Sequence, residues 1–250
     1  MKDLVVEHFE GLGRSGTWSD LYDGPETSAN TSFRSRLERT VELLPTDCRS
    51  VLDVGCGPAP LATSLLGRNM RYVGLDVSAA MLDAARSRVD KVTLIRGAVP
   101  LPFKDESFDA VVALGFVEYF DDSVAVLREL SRVVRRNGVL IVSTPKKYHL
   151  SRTMVHLMAP FRAIASLFVG RRSDSIRRTL LEPDELDAAG VKAGVVPDGG
   201  CHYHFTVLPY PLTTFAPGLA LRFNRRFESA QQTAPFSYSA QAYIGRYRRG

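Results

Sequence analysis

The segment VLDVGCGPAPLA at 51–62, read together with YVGLDVS at 72–78, constrains this chain more than any other feature. An apolar strand runs into a glycine turn and a helix, and about 20 residues later a second strand ends on Asp76. Gly55 and Gly57 let the backbone turn sharply and approach a ligand closely. A carboxylate at the tip of the next strand can accept both hydroxyls of a ribose. The layout is that of a nucleotide-cofactor site.

A dinucleotide site uses G-x-G-x-x-G, because a pyrophosphate sits against the helix N-terminus and the third glycine permits close helix–strand packing. Here Pro60 stands at the third position. S-adenosylmethionine carries an adenosine and an amino-acid tail but no phosphate, so a glycine turn and a ribose carboxylate suffice for it. The run Asp53-Val54-Gly55-Cys56-Gly57-Pro58-Ala59 resembles the D-x-G-x-G-x-G signature of class I S-adenosylmethionine-dependent methyltransferases, with Ala59 where a third glycine is common. LPFKDESFDAVVALGFVEYFDD at 101–122 is similar to that family's segment leading into its fourth strand. LRELSRVVRRNGVLIVSTP at 127–145 is similar to its helix, turn and fifth strand. The resemblance covers 50–145 and is nearest to the branch of ubiquinone, menaquinone and natural-product methyltransferases. It implies S-adenosyl-L-methionine as cofactor and leaves the acceptor open.

A chain of 250 residues suits one α/β domain with a cap. Residues 1–45 read as an N-terminal arm and helix, 46–145 as the cofactor-binding core, 146–182 as a cap insertion, and 183–250 as the rest of the sheet and a wall of the acceptor pocket. The acidic start MKDLVVEHFEGLG lacks an apolar leader core, and no run approaches the ~20 apolar residues of a membrane span, so a cytoplasmic protein is expected. Cys48, Cys56 and Cys201 have unrelated spacings that indicate neither a disulfide framework nor a metal site. Residues 1–150 hold 19 Lys+Arg against 20 Asp+Glu, whereas 151–250 hold 13 against 7. That basic C-terminal part reads either as a solvated arginine-rich face or as a peripheral contact for an anionic membrane or acidic substrate.

Phe33, Leu37, Val41 and Leu44 recur at helical spacing over 32–44, closed by Pro45. Strands are then expected near 50–54, 71–75, 92–96, 109–114 and 138–143, with helices near 59–67, 78–88 and 123–135. Asn137-Gly138 is expected to stop the last helix. Alternation of this kind argues for a Rossmann-like parallel sheet with helices on both faces. Ala240, Ala242 and Ile244 mark a final strand. The resemblance implies that this strand is antiparallel and completes seven. After strand five, Met154, Leu157, Met158, Phe161, Ile164 and Phe168 share one helical face, with Pro160 as a kink, and read as a cap or an interfacial membrane helix. With the apolar stretch 205–221, this predicts a fairly apolar small-molecule acceptor.

The resemblance implies that Asp53 lies near the methionine end of the cofactor, Gly55, Cys56 and Gly57 around it, Asp76 on the ribose, and Val77 beside the adenine. Cys56 reads as a small residue facing the cofactor rather than as a nucleophile. Ala98 and Val99 fall where the family reads adenine, but an alanine there cannot bond the amino group. Leu114, Gly115, Phe116, Glu118 and Tyr119 fall at the transferring methyl, and Tyr22 resembles an aromatic that closes over the cofactor. Candidate general bases are Glu118, His149, His202 and His204. Alternation places His202 and His204 on one strand face, yet no third metal ligand accompanies them. No Asn-Pro-Pro-Tyr or Asp-Pro-Pro-Tyr run and no RNA-binding motif occurs, so a nucleic-acid partner is not expected. The leading expectation is methyl transfer to oxygen or nitrogen of a small acceptor, in natural-product biosynthesis. Carbon methylation of a membrane-borne quinone precursor and a catalytically silent cofactor-binding partner protein are the alternatives.

Overall fold

The computed structural model describes residues 3–24, 27, 30–65, 67–150, 176–205, 218–219, 222 and 236–250. Its seven strands are β1 (Ser50–Val54), β2 (Arg71–Asp76), β3 (Thr93–Arg96), β4 (Phe108–Leu114), β5 (Val134–Pro145), β6 (Val195–Phe205) and β7 (Ala240–Arg249). They form one sheet in the order β3-β2-β1-β4-β5-β7-β6. The first five are parallel, and β7 runs antiparallel between β5 and β6. The expected doubly wound mixed sheet, with its antiparallel last strand, is therefore present. Central strands of such a sheet are covered on both faces and read as continuous apolar runs, as β1 and β4 do here.

Leu52, Val111, Ala113, Leu140 and Val142 point to one face. There they meet Leu127 of α6 (Ser123–Arg132) and Leu186 of α7 (Pro183–Lys192). Val51, Ala110, Val112 and Ile141 point to the other. That face is covered by α3 (Thr31–Leu43), α4 (Pro60–Ser64) and α5 (Ala79–Arg88), which contribute Leu37, Leu61 and Ala85. Side-chain caps start α5, α6 and α7: Ser78 accepts from the Met81 N–H, Asp122 accepts from the Ala125 N–H, and Glu182 with Glu185 makes a capping box ahead of Pro183. Two N-terminal helices, α1 (Asp3–Ser15) and α2 (Thr17–Asp23), lie over the carboxyl ends of the strands.

Two local expectations are corrected. The helix expected to 135 ends at Arg132, and Asn137-Gly138 is a bulge inside β5 rather than a helix stop. Asn137 takes a left-handed φ of 61°, and pairing with β4 jumps from Phe108↔Val134 to Ala110↔Val139. In addition, the strand alternation assumed for His202 and His204 is broken, because His204 has a φ of 58°. The apolar cap face over 154–168 lies outside the described residues, as does nearly all of 205–221. Among the described residues no helix is long and apolar enough to cross a membrane.

Candidate active site

A cavity of about 1090 Å³ opens at the carboxyl ends of β2, β1, β4 and β5, where doubly wound sheets bind ligands. Its floor at one end is the glycine turn. Gly55 and Gly57 have φ of 73° and 54°, in the left-handed region that glycine enters without strain. A Cβ on Gly55 would sit 2.9 Å from the Phe116 ring, closer than side chains pack, whereas one on Gly57 would make only ordinary contact with Trp18 Nε1 at 3.4 Å. Asp76 fastens the turn to β2. Its Oδ2 accepts from the Gly57 N–H at 2.8 Å and its Oδ1 from the Ser78 N–H at 2.9 Å. Burial pushes this carboxyl above the usual range, and those N–H donors pull against it. Each oxygen retains a second lone pair for a ribose hydroxyl.

Beneath the turn, Tyr72 donates to Asp53 Oδ2 at 2.7 Å, with both residues buried. Burial pushes Asp53 up to about 7, with a further contribution from the neighbouring Asp76. Cys56 is 4% exposed and donates toward the Gly57 carbonyl. Burial, then Asp53 and Asp76, push its thiol well above the ordinary range, which keeps it protonated and a poor nucleophile.

The roof is aromatic. Phe9 meets Trp18 and Tyr119 edge to face at 5.8 and 5.4 Å, and Trp18 and Tyr22 each meet Phe33 in the same way. Glu10 holds α1 in place by accepting from the Ala79 and Ala80 N–H groups at the N-terminus of α5.

Past β4 the wall becomes polar. Arg36 Nη2 donates to Tyr22 Oη at 2.8 Å and also bonds the Tyr203 hydroxyl, which in turn bonds Ser143. Burial works against the Arg36 charge, but Tyr22, Tyr203 and Glu118 more than offset it. Glu118 is 4% exposed, and burial pushes its carboxyl up to about 7. Beyond it, His149, His204, Lys146 and Arg178 line the far end with Ile176 and Leu180. Burial, then His149, push His204 down to about 4, so its imidazole is neutral near pH 7.

The cavity therefore brings together Tyr22, Asp53, Gly55, Cys56, Gly57, Asp76, Val77, Leu114, Gly115, Glu118, Tyr119, His149 and His204. Ala98 and Val99 are not on its wall. The chain reaches the cavity at Gly97, held by its N–H to the Asp76 carbonyl, and Val99 turns into the core. His202 also lies off the wall, against the Tyr243 ring, because the left-handed turn at His204 sends Tyr203 and His204 toward the cavity instead. Among the described residues no group of three His, Cys, Asp or Glu could hold a metal ion. Arg36, Trp18, Tyr203, Lys146 and Ser143 were missed in the sequence. Only Trp18 left a signal there, as the single tryptophan of the chain, set in the arm.

Comparison with known proteins agrees with this fold. Residues 52–142 match the family model described as a methyltransferase domain. The chain is 40% identical over 110 residues to a demethylmenaquinone methyltransferase of Thermotoga maritima, covering 42% of this chain and 48% of that protein. It is 34% identical over 116 residues to a malonyl-[acyl-carrier protein] O-methyltransferase of Legionella pneumophila, covering 44% and 41%. The chain thus spans less than half the length of either relative. Among solved structures, magnesium protoporphyrin IX methyltransferase from Synechocystis with bound S-adenosylhomocysteine superposes over 100% of both chains, with a TM-score of 0.68 at 16% identity. The resemblance read from the glycine turn to strand five is borne out, and the fold is that of the S-adenosylmethionine-dependent methyltransferases.

Proposed function

We propose that this chain is an S-adenosylmethionine-dependent methyltransferase that methylates oxygen or nitrogen of a small acceptor. The observation that carries the reading is the left-handed glycine turn fastened by its Gly57 N–H to Asp76, at the cavity end where β1 and β2 stop. Its residues fit the cofactor. Asp76 offers lone pairs to a ribose, Val77 and Gly97 line the wall beside it, and Gly55, Gly57 and Gly115 line the next stretch of the cavity. When bound, the cofactor supplies an already activated methyl group on a sulfonium. The work left to the protein is to orient, to exclude water and to accept a proton.

Orientation falls to the glycine turn and Asp76. Water is excluded by Phe9, Trp18, Phe116 and Tyr119, which form the apolar lid and wall. Proton acceptance from a hydroxyl or ammonium acceptor falls to His149 and His204, whose imidazoles face the cavity past β5. Burial holds His204 neutral, open to an incoming proton but a weaker base than a free imidazole. The relatives that match act, by their names, on a quinone precursor and on an acyl-carrier-bound acid, so the acceptor class remains a proposal for this chain. Carbon methylation of a membrane-borne quinone precursor is the second reading, favoured by the Thermotoga relative and the basic composition of 151–250.

Calorimetry with S-adenosylhomocysteine and NAD tests the cofactor. Binding of the first and not the second is expected, and the reverse would sink the reading. Co-sedimentation with neutral and anionic liposomes at two salt concentrations separates the acceptor readings, since a charge-driven contact is screened over roughly 8 Å at physiological ionic strength.

A further inference from the structure

We propose that the cavity wall past β5, which carries Lys146 and Arg178, is the receptor for a carboxylate on the acceptor, so that the acceptor is a small organic acid anchored by its anionic group. The inference rests on the function proposed above and narrows the class of molecule that its site takes.

Charge is segregated along the cavity. Its carboxyl groups, Asp53, Asp76 and Glu118, belong to β1, β2 and the turn after β4. Past β5 the ionisable groups on the wall are Lys146, His149, Arg178 and His204, and among the described residues no acid lines that stretch. Arg36, between the two ends, is already met by Tyr22, Tyr203 and Glu118.

The two cations past β5 are fixed in place. The Thr179 N–H donates to the Glu118 carbonyl at 2.7 Å, which ties the chain at Arg178 to the turn after β4, and the Arg178 guanidinium lies 5.8 Å from the centre of the Tyr119 ring. Lys146 directly follows β5. Its N–H donates to the Gln241 carbonyl at 2.9 Å and its Nζ to the Ser237 carbonyl at 3.0 Å. The next residue, Lys147, forms an ordinary ion pair with Glu185 of α7. Lys146 forms none within 4.0 Å among the described residues, although it is only 5% exposed. Burial pushes its ammonium below the ordinary lysine range, and the more distant Glu182 does not restore it. The Ser237 carbonyl takes one of the three donors that an ammonium carries.

A carboxylate answers this arrangement. Its two oxygens accept several donors at once, and its single charge balances the one that Lys146 adds, since Arg178 already acts on Glu118. A neutral acceptor would leave the buried ammonium without a counter-charge. The anionic group is a handle rather than the atom that is methylated, for two reasons. β4 separates β1 from β5, so the Lys146 wall stands about 10 Å, two strand spacings, from the glycine turn. A carboxylate held by cations is also less basic, and so a poorer nucleophile, than a free one. The acceptor's hydroxyl or amino group then lies back along the cavity, between its carboxylate and the glycine turn.

The test measures binding to the protein saturated with S-adenosylhomocysteine, by ligand-observed NMR, of benzoate and hexanoate and of their uncharged isosteres benzamide and hexanamide. At least one acid is expected to bind about tenfold or more tightly than its amide, the range of one charge-assisted hydrogen bond. Lys146→Met and Arg178→Met should each bring that ratio to within about threefold, while both amides and S-adenosylhomocysteine itself stay within about threefold of the unmodified protein. Lys146→Arg, which keeps the charge, should retain most of the preference. The comparison of acid with amide on the unmodified protein does not depend on how the variants fold. Equal binding of acid and amide there, no binding of either acid, or a preference that survives in both methionine variants overturns the assignment. Failure of the unmodified protein to bind S-adenosylhomocysteine would instead overturn the proposed function itself.

Discussion

Replacing Asp76 by alanine should damage the fold and the cofactor site by separable amounts. In the folded chain its two oxygens accept from the Gly57 and Ser78 N–H groups at 2.8 and 2.9 Å. Losing both acceptors orphans two backbone donors next to a residue only 7% exposed, at about 1–1.5 kcal/mol each. Against this, removal of a carboxylate that burial disfavours returns part of that cost, so the net loss of stability is about 1–2 kcal/mol. Ligand binding loses more. Two hydrogen bonds from ribose hydroxyls to a charged acceptor amount to about 2–4 kcal/mol after non-additivity, roughly thirty- to a thousandfold in Kd. Asp76→Ala should weaken S-adenosylhomocysteine and 5′-methylthioadenosine alike, because both carry the ribose. Asp76→Asn keeps one acceptor for one N–H, so it should recover about half the stability but little of the affinity. Urea unfolding followed by circular dichroism and calorimetry with both ligands provide the two readings. An Asp76→Ala protein that unfolds at the wild-type midpoint and binds S-adenosylhomocysteine within about threefold of wild type would refute the ribose assignment and the turn-fastening argument together.

Three other outcomes follow from the structure. Asp53 and Glu118 are held up to about 7 by burial, above their unfolded values near 4, so their contribution to stability is complete below about pH 4 and is lost as pH rises through 7. Ligand-free protein should therefore lose on the order of a few kcal/mol between pH 5 and 8, and a urea midpoint that rises over that range would contradict the assignment. Glu10→Ala removes the acceptor for two N–H groups at the start of α5 and should cost about 1 kcal/mol while speeding proteolytic cleavage within residues 1–23, with the core fragment unchanged. In Gly200→Ala the new Cβ would meet the Tyr243 hydroxyl and lie 2.6 Å from the Ile244 carbonyl across the β6–β7 pair. The thermal midpoint should drop by an amount corresponding to about 1–3 kcal/mol, and an unchanged midpoint would show that the two strands can part without cost.

Local chemistry made much of this molecule legible in its residues. The apolar runs of β1, β2 and β4, the glycine turn, the Asp76 terminus and the alternation with helices depend on neighbours a few positions apart, and each appears where expected. The nucleotide reading of Gly55, Gly57 and Asp76 is of the same kind, since a turn and a strand tip need only each other. Asn137-Gly138 shows where that logic fails. A glycine after an asparagine with a left-handed backbone suits a helix stop and a strand bulge equally, and pairing with β4 decided for the bulge. β6 was legible only around His202 and His204, because the glycines before them hide its period, and its pairing with β7 gives it form. The left-handed residue at His204 then reversed which histidine faces the cavity. Arg36, in the polar register of an N-terminal helix, reads as a solvated charge until the folded chain sets it against Tyr22, Tyr203 and Glu118, which lie 14, 167 and 82 positions away. Sequence by itself determined the sheet, its turn and the ribose carboxylate, because those rest on short-range sterics and apolar periodicity. Only tertiary structure decided which charges are stripped of water and left facing one another, because desolvation belongs to the packed chain and to no single segment of it.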